Sequence, residues 1–323
     1  MDLDVLFVGT AGSVPTARRG LPSILVRRGG ERLLFDCGEG TQRQLVRSVG
    51  LIELEEVFLT HFHADHVLGL PGMLKTFSLR QRERPLTVYG PPGLERTMAG
   101  LGRVIGKTTF PLELVELEPN AELGRDGYRI AAFSVDHPPL AYGYVLVEDE
   151  RPGHLDVERA AELGVTHGPD LGRLQAGEPV QAAHGEVRPE QVLGDARRGR
   201  KLALAGDSAP CEMTRVAAFG ADLLVHEATF MEEEADRALE TRHSTARQAA
   251  ELAAAAEVEL LALTHLSPRY SGGDVRAEAR EVFERTVVPR DFDRIVIPLP
   301  ERGGPVHERA PEAGAEPPVG PQP

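Results

Sequence analysis

The chain is poor in cysteine. It has two, Cys37 and Cys211, in 323 residues, too few for a disulfide framework. It also lacks any apolar run of membrane-spanning length. The opening stretch MDLDVLFVGT carries no basic region and no small-residue cleavage pattern, so no secretory signal is expected. Together these absences point to a reducing cytoplasm and no membrane contact. A positive excess is missing too. The formal net charge is −14, the wrong sign for a protein that coats nucleic acid, although a local basic face stays compatible with it.

What is present is enough for a full core, since 41% of residues are hydrophobic. The first third reads as short strands separated by Gly, Pro or charge: DVLFVGT, SILVRR, RLLFDC and EVFLTH. A helix is expected in VLGLPGMLKTFSLR, with Pro71 in its first turn. Strand character returns in LELVEL, YRIAAFSVDH and AYGYVLVED. From Arg151 to about Arg200 the pattern breaks into a Gly- and Pro-rich stretch with one short helix near Asp156 to Leu163, which reads as an arm inserted between core strands. The core resumes with KLALAGD, DLLVHEA, ELLALTH and RIVIPLP. This order predicts an α/β fold of two packed sheets with helices outside, not a strictly alternating parallel sheet. Residues 301–323 are rich in Pro, Gly, Ala and Glu and are expected to be a disordered acidic tail.

The histidines are distributed unevenly. Of eleven, His154, His167 and His184 fall in the arm and His307 in the tail. His61, His63 and His66 follow EVFLT, His137 follows IAAFSVD, His226 ends DLLV and His265 follows LLALT. His243 precedes a helix whose start, with Thr245 and Gln248, reads as a capping box. Asp65 lies within the first cluster, and Asp207 ends LALAG. Strand ends on one edge of a sheet can converge, and imidazole with carboxylate suits zinc. Six ligands are too many for one tetrahedral ion, so two neighbouring metals sharing Asp207 would use them economically.

The block His61-Phe62-His63-Ala64-Asp65-His66 resembles the signature of the metallo-β-lactamase fold. GTAGSVPT, FDCGEGTQRQL, LTHFHADHVLGLPGML, GDSAPCE, HEATF, RHST and THLSPRY are similar, in the same order, to the blocks of the ribonuclease Z family. GPDLGRLQAGEPV resembles the Gly-Pro motif of that family's tRNA-binding arm. The resemblance implies an αββα sandwich of two mixed sheets over residues 1–300, with 151–200 as the arm. It implies a homodimer, each arm serving the partner's site, and two Zn2+ per chain. One zinc would take His61, His63 and His137, the other Asp65, His66 and His265, with Asp207 bridging. The implied reaction is removal of the 3′ trailer from precursor tRNA by metal-activated water, with Asp65 as base, His243 as leaving-group acid and Glu227 orienting it. Arg18, Arg19, Arg27, Arg28 and the run Arg80 to Arg84 are either phosphate contacts or an ordinary solvated face. The rival readings are a small-ester or β-lactam hydrolase of the same fold and a non-catalytic RNA binder.

Overall fold

The computed structural model describes residues 1–166 and 168–311. An eight-stranded mixed sheet has the order β17-β16-β1-β2-β3-β4-β5-β6. Its strands are β1 (Leu3–Gly9), β2 (Ser23–Arg28), β3 (Glu31–Phe35), β4 (Glu56–Phe58), β5 (Leu86–Gly90), β6 (Leu112–Glu116), β16 (Arg294–Val296) and β17 (Val306–Glu308). A seven-stranded mixed sheet has the order β15-β14-β13-β12-β9-β8-β7. It is made of β7 (Glu122–Arg125), β8 (Tyr128–Val135), β9 (Ala141–Glu148), β12 (Lys201–Leu204), β13 (Leu223–Glu227), β14 (Leu260–Thr264) and β15 (Thr286–Val287).

Central strands such as β1, β13 and β14 are near-continuous apolar runs because both of their faces are covered. On β1, Leu3, Val5 and Phe7 point into the layer between the sheets, where they join Phe35, Phe58, Tyr144, Leu202 and Val225. Leu6 and Val8 point the other way, into a second layer. That layer is closed by α1 (Thr41–Ser48), α3 (Gly69–Leu79) and α4 (Leu94–Ile105), the first two flanking the short α2 (Ala64–Val67). Helices α7 (Glu212–Ala218), α9 (Ala246–Ala255) and α10 (Gly272–Arg280) cover the second sheet over an alanine-rich layer, with α8 (Ala235–Thr241) between α7 and α9 in the chain. The αββα sandwich expected from the sequence is therefore present. Pro71 sits in the first turn of α3, and Thr245 and Gln248 form the expected capping box at α9.

The segment between β9 and β12 is more structured than its composition suggests. It contains α5 (Val157–Glu162), α6 (Gly168–Gln175) and a hairpin of β10 (Val180–Ala182) and β11 (Gly185–Val187). Ala160, Val165, Leu174, Val180, Val187 and Val192 give it a small core of its own. Backbone bridges Arg151–Arg197 and Leu155–Leu193 make a two-stranded stalk beneath it. The single short helix read from the sequence is α5, with Asp156 capping it; α6 and the hairpin were not foreseen.

The expectation of disorder from residue 301 is corrected for residues 301–311. Val306–Glu308 pairs antiparallel with β16, and His307 Nε2 lies 2.9 Å from the buried Asp293 carboxylate. Glu301 accepts from Arg151 at 2.8 Å and from Arg197 at 3.0 Å, tying the tail to the stalk. Paired backbone and these ion pairs offset the ordering cost that composition alone left uncovered. The rest of the expected tail, 312–323, and His167 lie outside the described residues.

Candidate metal centre

The site forms where strand ends meet at one edge of the sandwich, as is usual at the carboxyl ends of parallel strands. β4 leads into Thr60 and His61, and the turn after it delivers His63 and opens α2 with Asp65 and His66. β8 ends just before His137, β12 before Asp207 and β14 before His265, while β13 ends in His226 and Glu227. His243 comes from the loop between α8 and α9. Gly206 turns the chain at φ 67° to aim Asp207 inward, and a Cβ there would meet Thr60 at 3.0 Å. A Cβ on Gly38 would lie 2.2 Å from the Asp65 carbonyl oxygen, so only glycine lets that loop approach the metal-facing turn. His265 and Asp36 hold left-handed backbone conformations, φ 56° and 58°, an uncommon state for side chains of this kind and one that clusters at functional sites.

All seven expected ligands come together. His61 Nε2 lies 2.9 Å from His63 Nδ1, which is 3.2 Å from His137 Nε2. His265 Nε2 lies 3.4 Å from Asp65 Oδ2 and 3.2 Å from Asp207 Oδ2. His66 Nε2 is 3.7 Å from Asp65 Oδ2 and 3.3 Å from Asp207 Oδ2. Asp207 Oδ2 also stands 3.9 Å from His61 Nε2, between the two groups. The triads His61–His63–His137 and Asp65–His66–His265 each have ligand atoms mutually within 4.8 Å.

Hydrogen bonds behind these rings decide which nitrogens face inward. The Arg242 carbonyl only accepts, so His137 Nδ1, 2.9 Å away, carries the proton and Nε2 is bare. Thr60 donates its hydroxyl to Asp36 at 2.9 Å and accepts from His61 Nδ1 at 2.9 Å. Thr229 donates to Glu227 at 2.5 Å and accepts from His265 Nδ1 at 2.8 Å. His66 Nδ1 donates to Asp36 at 2.8 Å, and its buried Nε2 has no hydrogen-bond partner among the described residues. Three bare Nε2 lone pairs, the unpartnered Nε2 of His66 and two carboxylates thus converge on one space, an arrangement that a cation satisfies and that protein groups leave unbalanced. Burial opposes charge on His66, but Asp207 and Asp36 outweigh it and raise its pKa well above the ordinary value. Burial, reinforced by neighbouring imidazoles, holds His61 well below the ordinary value. Burial alone would raise the Asp65 pKa; His265 and His66 reverse that and keep it ionised.

Beside this group His243 Nδ1 lies 2.6 Å from Glu227 Oε1. Glu227 is buried and also accepts from the Ser208 and Thr229 amides at 3.0 and 3.1 Å. Burial lowers the His243 pKa, but the carboxylate outweighs it and lifts the ring to about 9. His226 is fully buried with Nδ1 on the Glu227 carbonyl, a structural placement.

Sequence reasoning missed Asp36, Thr60 and Thr229, which set the tautomers; Asp36 and Thr229 stand inside FDCGEG and HEATF, blocks quoted above only for their likeness. It also missed the Ser13 amide, which donates to Asp65 Oδ2 at 2.9 Å. Several of the arginines flagged as phosphate contacts are structural. Arg27 pairs with Asp4, Arg28 with Glu148, and Arg82 donates to the Leu54 and Pro85 carbonyls. Cys37 is buried, its thiol pushed up to about 12 by desolvation, and Cys211 faces Thr214; both are free.

The metallo-beta-lactamase superfamily matches residues 19–180. A protein named ribonuclease Z from Gemmatimonas aurantiaca is 47% identical over 307 residues, covering 93% of this chain and 98% of that one. A ribonuclease Z from Myxococcus xanthus is 45% identical, covering 93% and 99%. The chain belongs to the ribonuclease Z family. Among solved structures, the short form of human tRNase Z superposes with a TM-score of 0.66 at 27% identity, covering 92% of this chain and 99% of that one. The Bacillus subtilis metallo-beta-lactamase fold protein YhfI gives 0.68 at 20% identity, a likeness of fold. Membership in this superfamily implies metal binding, which agrees with the converging lone pairs. No helix among the described residues is long and apolar enough to cross a membrane.

Proposed function

We propose that this ribonuclease Z family member is a zinc-dependent endoribonuclease that removes the 3′ trailer of precursor tRNA, leaving a tRNA 3′-hydroxyl and a 5′-phosphate on the trailer. The observation that carries this reading is the constellation itself: seven candidate ligands gathered beside a hydrogen-bonded His243–Glu227 pair. His61, His63 and His137 would hold one zinc and Asp65, His66 and His265 the second, with Asp207 reaching both. Two such ions lower the pKa of water and offset charge on a phosphoryl group. Asp65, kept ionised and fixed by the Ser13 amide, accepts the proton of the attacking water. His243, held as imidazolium by Glu227, gives a proton to the departing ribose 3′-oxygen. Asp36, Thr60 and Thr229 are buried behind the rings and keep them in the tautomer the site needs.

Substrate choice rests with the arm. It leaves the sheet at the end of β9 and returns at the start of β12, whereas the ligands sit at the other ends of β12 and its neighbours. β9 has eight residues, so the arm's root lies roughly 25 Å along the sheet from the metals of its own chain. That placement supports a homodimer in which each arm grips the tRNA whose end enters the partner's site. The free cysteines belong with a cytoplasmic setting. Zinc-loaded protein, its metal content measured, should cut precursor tRNA once at the trailer junction. Turnover of a small nitrophenyl phosphodiester with intact RNA left behind would favour the small-ester reading instead.

A further inference from the structure

We infer that a hollow beside the catalytic edge is a seat for the phosphates of the single-stranded 3′ trailer, a site that rests on the proposed reading and extends it past the scissile bond. The hollow has a volume of about 740 Å3 and is lined by Arg18, Arg19, Arg269, Arg276, Arg290 and Arg309. Its lining includes Leu266 and Ser267, which directly follow His265 in the chain. In a chain of net charge −14 this concentration of one sign needs a reason.

Two of these six arginines are spent on partners. Arg19 donates to Thr10 and to the Pro289 carbonyl, and Arg269 pairs with Glu234 at 2.9 Å. The side chains of Arg18, Arg276, Arg290 and Arg309 form no ion pair or hydrogen bond with a described residue. Among the described residues the one acid lining the hollow, Asp293, is buried and turned away. Its oxygens accept from the Arg290 and Ala310 amides, both at 2.9 Å, and face His307 at 2.9 Å. Asp293 therefore pins the two segments that present Arg290 and Arg309 without neutralising either. The segment around β17, expected to be disordered, completes this wall. A space of this size excludes a duplex, so the acceptor stem stays outside and a single strand enters. Unpaired guanidinium groups match phosphate oxygens in pairs.

The test uses zinc-loaded full-length protein and a fluorescent, 5′-phosphorylated RNA of about eight nucleotides, its binding followed by anisotropy across salt concentrations. Substituting Arg276→Ala, Arg290→Ala and Arg309→Ala together should weaken binding by at least about tenfold and flatten the salt slope by about 2, because single strands release about 0.7 counterion per phosphate contact. The same three positions changed to Lys should restore most of both. On precursor tRNA the alanine variant should raise KM for a long trailer and spare KM for a single-nucleotide trailer. Unaltered affinity and slope in the alanine variant, lysines as weak as alanines, or equal KM effects on both trailers would overturn the inference. Cleavage by the unsubstituted protein is read separately, so failure there counts against the nuclease reading and not against the hollow.

Discussion

At the scale of single residues the proposed chemistry divides between groups that would hold metal and a pair that would move a proton. His243→Ala should keep its zinc yet lose about 10²- to 10⁴-fold in precursor cleavage. Most of that loss should vanish on a nitrophenyl diester, whose leaving oxygen needs no proton, and steady-state rates on the two substrates check it. The Glu227 carboxylate is what lifts His243 to about 9, so the acid form persists below that value and is lost as pH rises through it. Bound cations repel the imidazolium, placing the alkaline limb of kcat at or below about pH 9. Glu227→Gln removes the raising charge and should move that limb to lower pH, with zinc content intact; a limb that stays in place would assign the titration to another group. The candidate ligands drew notice in the sequence because their histidines follow or end apolar runs, and a histidine near a strand end is conspicuous. Asp36 and Thr229 did not, since their roles depend on a left-handed backbone turn and on rings delivered by other strands.

Among the elements, the arm is the one whose interior escaped sequence reading. It is rich in Gly and Pro, and its short helices pack on a small core of six buried apolar residues to which the hairpin contributes Val180 and Val187. Its boundaries also need care. Arg200, at the edge of the predicted arm, is fully buried against Glu148 and belongs to the core. The stalk bridge Leu155–Leu193 offers a better cut. Excising residues 156–192 and closing that bridge with a short turn should leave a folded, zinc-loaded protein. Its kcat/KM on precursor tRNA should drop by more than about tenfold, because remote binding energy is lost, while hydrolysis of the small diester continues. Equal loss of both activities would make the arm a structural part or a lid. The tail shows the converse limit: composition announces disorder, but register with β16 is a long-range property that composition does not carry.

For the whole molecule, a buried ion triad fastens the two sheets below the arm. Glu148 of β9 accepts from Arg28 of β2 at 2.9 Å and from Arg200 at 2.7 Å, and Arg200 reaches on to the Ile297 and Met1 carbonyls. Burial would raise the Glu148 pKa, but Arg200 and Arg28 outweigh it and hold it below the ordinary value. A depressed carboxylate contributes stability that is full above its unfolded pKa and is lost as pH falls through the folded one, so this triad weakens in acid. Glu148→Gln should cost about 3–5 kcal/mol, measured by denaturant unfolding at neutral pH, since two guanidinium groups are left without their shared anion.

The proposed reaction is hydrolysis that breaks the bond between phosphorus and the ribose 3′-oxygen of precursor tRNA. The end groups of the two products report this most directly. Precursor tRNA incubated with the zinc-loaded protein should yield a tRNA body ending in a free 3′-hydroxyl and a trailer beginning with a 5′-phosphate. A tRNA body ending in a phosphate or cyclic phosphate, with a 5′-hydroxyl on the trailer, would contradict it, because neither water activated beside Asp65 nor a proton from His243 to the 3′-oxygen produces those ends.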